Sequence, residues 1–267
     1  MDHHMTINDI LKKKSEKKKI TALTAYDCPF ARILDEAGVD IIMVGDSLGN
    51  AVLGYDTTLP VTMEEMLHHT KAVRRGVKNA LLVGDMPFGS YQASLAECVG
   101  NAVRFIKEGG AAAVKLEGGR RVKEKIAALV EMGIPVMGHV GLTPQSYHQF
   151  GGYRIQGRDK KAALEVMKDA EAIQEAGAFS VVLEGIPAKL GKQITEKLAM
   201  PTIGIGAGPH CDGQVLVLHD ILGLSGDFKP KFARRYADVE DITLKAVKEF
   251  TRDVQEGKFP SIDESFE

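Results

Sequence analysis

Two apolar runs that each end on a carboxylate carry the first chemical signal in the sequence. The run "DIIMVGDS" at 40–47 stops on Asp46, and "ALLVGDMP" at 80–87 repeats the shape with Asp85 in the equivalent place. Further along, "VKLEGG" at 114–119 sets Lys115 and Glu117 two residues apart, and "VVLEGI" at 181–186 ends on Glu184. Residues two apart on a strand leave the same face, so Lys115 and Glu117 bring a cation and a carboxylate to one side. His139 closes the run "IPVMGHVG", and Asp27 and Ser47 complete the set of polar run ends. For His139 a hydrogen-bonded wall residue is as good a reading as a catalytic one.

If consecutive strands are neighbours, Asp46, Asp85 and Glu117 end staves roughly 4.8 Å apart. Three acids so placed repel one another unless a cation sits among them, and ligation by oxygen alone selects a hard ion such as Mg²⁺. Any single aspartate after a strand serves equally well as a helix cap or as the partner of a basic neighbour. Three at equivalent positions, with Glu184 as a fourth, turn the reading towards a site. No histidine spacing supports zinc: His68 and His69 fall inside a helical segment, and His210 and His219 are set apart near the last strands.

Two rival motifs fail on their context. "VGDSLG" at 44–49 contains the Gly-Asp-Ser-Leu of one esterase class, with Ser47 as the nucleophile, but no histidine has an aspartate three residues before it. The second copy, "VGDMP", keeps the aspartate and loses the serine. The repeated element is therefore the carboxylate, and Ser47 is better cast as a hydrogen-bond donor to a bound anion. "GIGAGPHCDG" is glycine-rich but lacks the dinucleotide spacing and follows a late strand, which leaves turn packing or close approach of backbone to a ligand.

What must hold these groups is a repeated strand and helix grammar. "KITALTAYD", "IIMVGDS", "ALLVGDM", "AAVKLEG", "IPVMGHVG", "FSVVLEG" and "PTIGIGAG" read as continuous apolar strands, as expected for parallel strands covered on both faces. Segments of helical spacing lie between them, among them "TMEEMLHHTKAVRRG" and "KAALEVMKDAEAIQEAG". An eighth strand is expected at "GQVLVLHD" from Gly213, with almost no room for a helix before it. The class is α/β: a single (β/α)8 TIM barrel domain over residues 1–267, with an N-terminal helix and a C-terminal helical extension ending in "DVEDITLKAVKEFTRDVQEG". The active site then lies at the C-terminal ends of the strands.

Composition narrows the partners. A formal charge of -2 and 44% hydrophobic residues suit one large core and a small-molecule partner, with no nucleic acid and no membrane. The lysine run from Lys12 to Lys19 reads as a solvated helix face. Cys28, Cys98 and Cys211 are odd in number and widely spaced, which suggests reduced thiols and a cytoplasmic protein. No apolar run approaches the ~20 residues needed to span a bilayer.

Together "TAYD" at 24–27, "VGDSLG", "TLPVT" at 58–62, "VKLEGG", "GHVGLTPQS" at 138–146, "FGGYRIQGR" at 150–158, "IGIGAG" and "DGQVLVLHD" resemble the ketopantoate hydroxymethyltransferase family, over nearly the whole chain. The resemblance implies a barrel of the group that handles phosphoenolpyruvate and pyruvate-like acids. It implies transfer of a hydroxymethyl group from 5,10-methylenetetrahydrofolate to 3-methyl-2-oxobutanoate, on the way to pantothenate and coenzyme A, through an enolate stabilised by Mg²⁺. Carried across by motif, Asp46, Asp85 and Glu117 would serve the metal, Ser47 and Lys115 would bind the oxo acid beside His139, and Glu184 would be the base. The segment "LSGDFKPKFARRY" matches less cleanly and leaves Ser225 without a role. A homodecamer is implied as well. Three other readings stand beside it: a metal-dependent lyase that cleaves a carbon-carbon bond of a 2-oxo acid, a Schiff-base enzyme using Lys115, and a non-catalytic oxo-acid or folate binding protein.

Overall fold

The computed structural model describes residues 4–226 and 230–266. Eight parallel strands close into a barrel in sequence order: β1 (Ile20–Thr24), β2 (Ile41–Val44), β3 (Leu81–Asp85), β4 (Ala113–Glu117), β5 (Val136–Gly141), β6 (Ser180–Glu184), β7 (Thr202–Ile205) and β8 (Gly213–Leu216). Strand β8 pairs with β1 at Ile20↔Gly213 and Ala22↔Val215, which seals the cylinder where the sequence places its eighth strand. No helix separates β7 from β8. The α/β barrel expected from the apolar runs is the fold observed.

The helices begin with α1 (Ile7–Ser15), before the barrel. Between strands come α2 (Cys28–Glu36), the short α3 (Leu48–Ala51), α4 (Met63–Gly76), α5 (Leu95–Lys107), α6 (Lys123–Glu131), the short α7 (Tyr147–Phe150), α8 (Lys160–Glu175) and α9 (Ala188–Lys197). Their starts follow capping chemistry. Thr62 and Glu65 form a reciprocal capping box on α4, and Ser94 and Asp159 cap α5 and α8 through side-chain oxygens.

Alternation along each strand explains why a packed core and a charged mouth occupy one cylinder. Leu81 and Val83 of β3, Ala113 of β4, Met137 of β5 and Val182 of β6 belong to the interior cluster. Two residues further along the same inward rows stand Asp85, Lys115, His139 and Glu184. The lower layers are apolar and the uppermost is ionic.

Below the barrel, Ile10 of α1 is fully buried against this cluster. The lysine run here is only partly a solvated face. Lys13 pairs with Asp40 at 2.5 Å, while Lys14 contacts Asp212 at 2.8 Å and donates to the carbonyls of Thr195 and Met200. Lys14 lies one helical turn after Ile10, so the face that buries the isoleucine also carries the ammonium to these acceptors.

The described residues fall into two compact units, one ending at Val217 and the other starting at Leu218. The second contains α10 (Leu218–Leu222) and α11 (Val239–Gln255), the helical extension read from the sequence. Within it Ser225 donates to Asp220 at 2.6 Å, and Phe250 of α11 meets Phe259 edge to face. Residues 227–229 of the less cleanly matching segment lie outside the described residues. Among the described residues no helix is long and apolar enough to cross a membrane.

Candidate active site

The barrel register brings the sequence-derived acids together. Asp85 is paired in register with Lys115, and Glu117 with His139, across β3, β4 and β5. Asp46 sits two residues beyond β2, and its backbone N–H donates to Asp85 Oδ2 at 3.2 Å. Lys115 Nζ lies 2.7 Å from each oxygen of Asp85 and 3.9 Å from Glu117 Oε1. Asp46, Asp85, Lys115, Glu117 and His139 are all buried.

Charge in this cluster is out of balance. Burial raises Asp85 to about 7, with Lys115 opposing and Asp46 adding to the rise. Burial likewise lifts Glu117 well above the carboxylate range, because Lys115 offsets only part of that cost and the charges of Asp46 and Asp85 add to it. For Lys115 burial works against the ammonium, but Asp85, Glu117 and Asp46 outweigh it and hold its pKa above the usual lysine range. Among the described residues, one ammonium thus contacts Asp85 and Glu117 and also feels the charge of Asp46.

His139 stands between the two sides of the mouth. Its Nδ1 is 3.5 Å from Glu117 Oε1 and its Nε2 is 3.2 Å from Glu184 Oε2, although neither contact is well directed as a hydrogen bond. Burial and then the charge of Lys115 lower its pKa, so the ring is neutral near pH 7 with one N–H to give. Glu184 ends β6 in register with Gly141, whose φ of +93° lets the chain turn there so that Leu142 N–H donates to Glu184 O. Ser47 makes a 2.8 Å hydrogen bond with the hydroxyl of Tyr26, and His69 Nδ1 donates to the carbonyl of Tyr26 at 2.6 Å.

Two other residues of the first reading lie elsewhere. Asp27 caps α2, accepting from Phe30 N–H at 2.8 Å, because β1 already ends at Thr24. His210 is exposed in the turn after β7.

The sequence reading missed Gln145, Tyr91 and Tyr153. Gln145 and Tyr91 are buried beside the acids, in the loops after β5 and β3, where Tyr91 OH donates to Gln145 Oε1 at 2.7 Å and accepts from Glu117 N–H at 3.1 Å. Tyr153 packs edge to face on Tyr147 and is half exposed, and the partial burial of its phenol, followed by the charge of Asp46, raises its pKa. The motifs "GHVGLTPQS" and "FGGYRIQGR" contain Gln145 and Tyr153, but nothing in their spacing marks a mouth residue.

Among the described residues, no three His, Cys, Asp or Glu side chains already form a metal-holding group. The reason is visible in the contacts: Asp85 is turned to Lys115, and Asp46 Oδ2 accepts from Gln145. The donor chemistry nevertheless fits a hard cation. The three acids offer only oxygen, and Glu117 Oε1 is buried without a hydrogen-bond partner.

Comparison with known proteins agrees with the architecture. The chain superimposes on phosphonopyruvate hydrolase, solved in complex with oxalate and Mg²⁺, with a TM-score of 0.62 at 16% identity over 97% of this chain and 93% of that one. It superimposes on 2,3-dimethylmalate lyase, a member of the PEP mutase/isocitrate lyase superfamily, with a TM-score of 0.59 at 16% identity over 98% and 91%. At such identity the likeness is one of fold. In sequence the chain is 58% identical to the 3-methyl-2-oxobutanoate hydroxymethyltransferase of Syntrophotalea carbinolica and 56% identical to that of Geobacter metallireducens, over 100% of both chains in each case. The sequence profile described as ketopantoate hydroxymethyltransferase matches residues 4–262. The chain belongs to the ketopantoate hydroxymethyltransferase family.

Proposed function

We propose that this chain transfers a hydroxymethyl group from 5,10-methylenetetrahydrofolate to 3-methyl-2-oxobutanoate, giving 2-dehydropantoate in the biosynthesis of pantothenate. Balanced, the reaction removes a proton from C3, joins C3 to the methylene carbon, breaks both bonds from that carbon to the folate nitrogens and takes the hydroxyl from water, the nitrogens ending with the C3 proton and a proton of water. The observation that carries this reading is the charge shortage at the mouth: the buried ammonium of Lys115 faces Asp46, Asp85 and Glu117. A second cation would relieve it. Asp46, Asp85 and Glu117 would hold that ion, and when bound, Mg²⁺ supplies Lewis acidity to the keto oxygen of the substrate.

The remaining work falls to the chain's own groups. Lys115 offers fixed positive charge where the keto oxygen gains electron density as C3 loses its proton. Ser47, held by Tyr26, donates to the substrate carboxylate. Glu184 is the base for the C3 proton, and the neutral ring of His139 stands 3.2 Å from its carboxylate. Family membership supports a folate donor and a decameric assembly. Free thiols at Cys28, Cys98 and Cys211 support work in the cytoplasm.

The test is turnover of both substrates by Mg²⁺-replete protein, with exchange of the C3 proton in D₂O followed by NMR. Glu184→Gln is expected to bind the oxo acid and exchange its proton at least ~10²-fold more slowly, the usual scale for a general base. Exchange at the wild-type rate removes Glu184 from that role. Turnover that survives exhaustive chelation removes the metal, and absence of turnover favours a binding protein.

A further inference from the structure

A buried glutamine touches two of the acids that the metal reading requires, one with its side chain and one with its main chain. Gln145 follows Pro144 in the loop after β5, and only 6% of it is exposed. Its Nε2 donates to Asp46 Oδ2 at 3.0 Å and to the Met86 carbonyl at 2.9 Å. Its Oε1 accepts from Tyr91 OH at 2.7 Å and from Gln92 Nε2 at 3.0 Å. Its backbone N–H donates to Glu117 Oε2 at 3.0 Å.

These contacts use both N–H donors and both lone pairs of the side-chain amide, so nothing in it is left unsatisfied. They also fix which end is nitrogen, since a backbone carbonyl can only accept and the group facing Met86 must donate. Reversing the amide would set its oxygen against the Met86 carbonyl and its NH₂ against the NH₂ of Gln92.

We propose that Gln145 is a positioning residue for the divalent cation, a role that rests on the metal reading given above. Its side chain occupies Oδ2 of Asp46 and its main chain occupies Oε2 of Glu117. Each acid is held by one oxygen and keeps the other for the ion. Glu117 Oε1, the buried atom without a hydrogen-bond partner, is the oxygen left over. Tyr91 secures the arrangement, because its single hydroxyl binds Gln145 Oε1 and Glu117 N–H together. A small hard ion requires its oxygens at about 2.1 Å, and a carboxylate free to swing loses that geometry. Removing partners that orient metal ligands typically costs about 10- to 100-fold in affinity.

The test is calorimetric titration of the chelator-treated protein with Mg²⁺ alone, comparing wild type, Gln145→Met and Tyr91→Phe, with circular dichroism to establish that each is folded. Gln145→Met is expected to bind Mg²⁺ about 10- to 100-fold more weakly and to need correspondingly more Mg²⁺ for half-maximal turnover. Tyr91→Phe keeps the ring and loses only the hydroxyl, so it is expected to fold and to fall between the two. A merely structural role would lower the unfolding temperature and leave the affinity of folded protein unchanged. If wild type binds Mg²⁺ and folded Tyr91→Phe and Gln145→Met bind it equally well, the positioning role is wrong. If wild type binds no Mg²⁺, the metal reading itself is wrong and this role with it.

Discussion

Lys115 Nζ lies equidistant, at 2.7 Å, from both carboxylate oxygens of Asp85, and the pair is buried at the junction of β3 and β4. Lys115→Met would leave Asp85 and Glu117 without their ammonium. Breaking a buried pair from one side costs about 3–5 kcal/mol, and losing a charge aimed at a developing oxyanion costs at least ~10²-fold in rate. The variant is expected to unfold at lower urea and to turn over at least that much more slowly. Equal stability and equal activity would show that the ammonium does neither job. An amine held charged is also a poor nucleophile, so borohydride with the oxo acid is expected to leave the protein's mass unchanged, and a covalent adduct would restore the Schiff-base reading.

Proton linkage at Asp85 gives a second expectation. Its folded pKa, raised to about 7, lies above its ordinary value of 3.8, so between those values the folded state binds more proton than the unfolded one. Stability from this group is therefore present at low pH and lost as pH rises through about 7. Asp85→Asn mimics the protonated acid at every pH. In metal-free protein, wild type is expected to lose stability relative to Asp85→Asn as pH rises across that window, and Mg²⁺ is expected to restore it to wild type alone. A difference in unfolding free energy that stays flat from pH 4 to pH 8 would contradict the charge shortage.

The parts legible in the sequence are those fixed by strand periodicity. Because parallel strands are buried on both faces, Leu81, Val83 and Asp85 read as one run whose last inward member is ionic, and the same logic exposes Lys115, Glu117 and Glu184. Gln145 stayed hidden because its partner Asp46 is 99 residues away and is reached by a loop whose path no spacing encodes. Asp27 misled because an aspartate after a strand looks the same whether it faces the mouth or caps the next helix. Lys14 misled for a related reason: a charge run gives no sign of which lysine turns inward until Ile10 is seen to be buried.

Packing behind the mouth makes a third expectation. A Cβ on Gly84, the residue before Asp85, would stand 2.3 Å from Cδ1 of Phe105 on α5, and Phe105 is itself fully buried. The ring has nowhere to go, so Gly84→Ala is expected to cost about 1–3 kcal/mol by overpacking. Phe105→Leu in the same protein gives back the space. The double variant is expected to be more stable than the sum of the single effects predicts, and strict additivity in urea unfolding would show that the ring does not constrain Gly84.

Asp35, near the end of α2, supplies a stability effect remote from the chemistry. Its Oδ1 accepts from the backbone N–H groups of Asn79 and Ala80, each at 2.8 Å, and its Oδ2 from the side-chain amide of Asn79 at 3.0 Å, which ties the approach to β3 onto α2. Burial pushes its pKa up, but the donors of Ala80, Asn79 and Lys78 outweigh burial and hold it below the ordinary 3.8. The sign is thus opposite to that of Asp85: stability is present above pH 3.8 and lost as pH falls through the lower folded value. Asp35→Ala leaves buried N–H groups unsatisfied and is expected to cost about 2–3 kcal/mol at pH 7, with turnover per folded molecule unchanged. The gap between wild type and variant should narrow as pH drops below 3.8, and a gap that widens there would refute the account of this carboxylate.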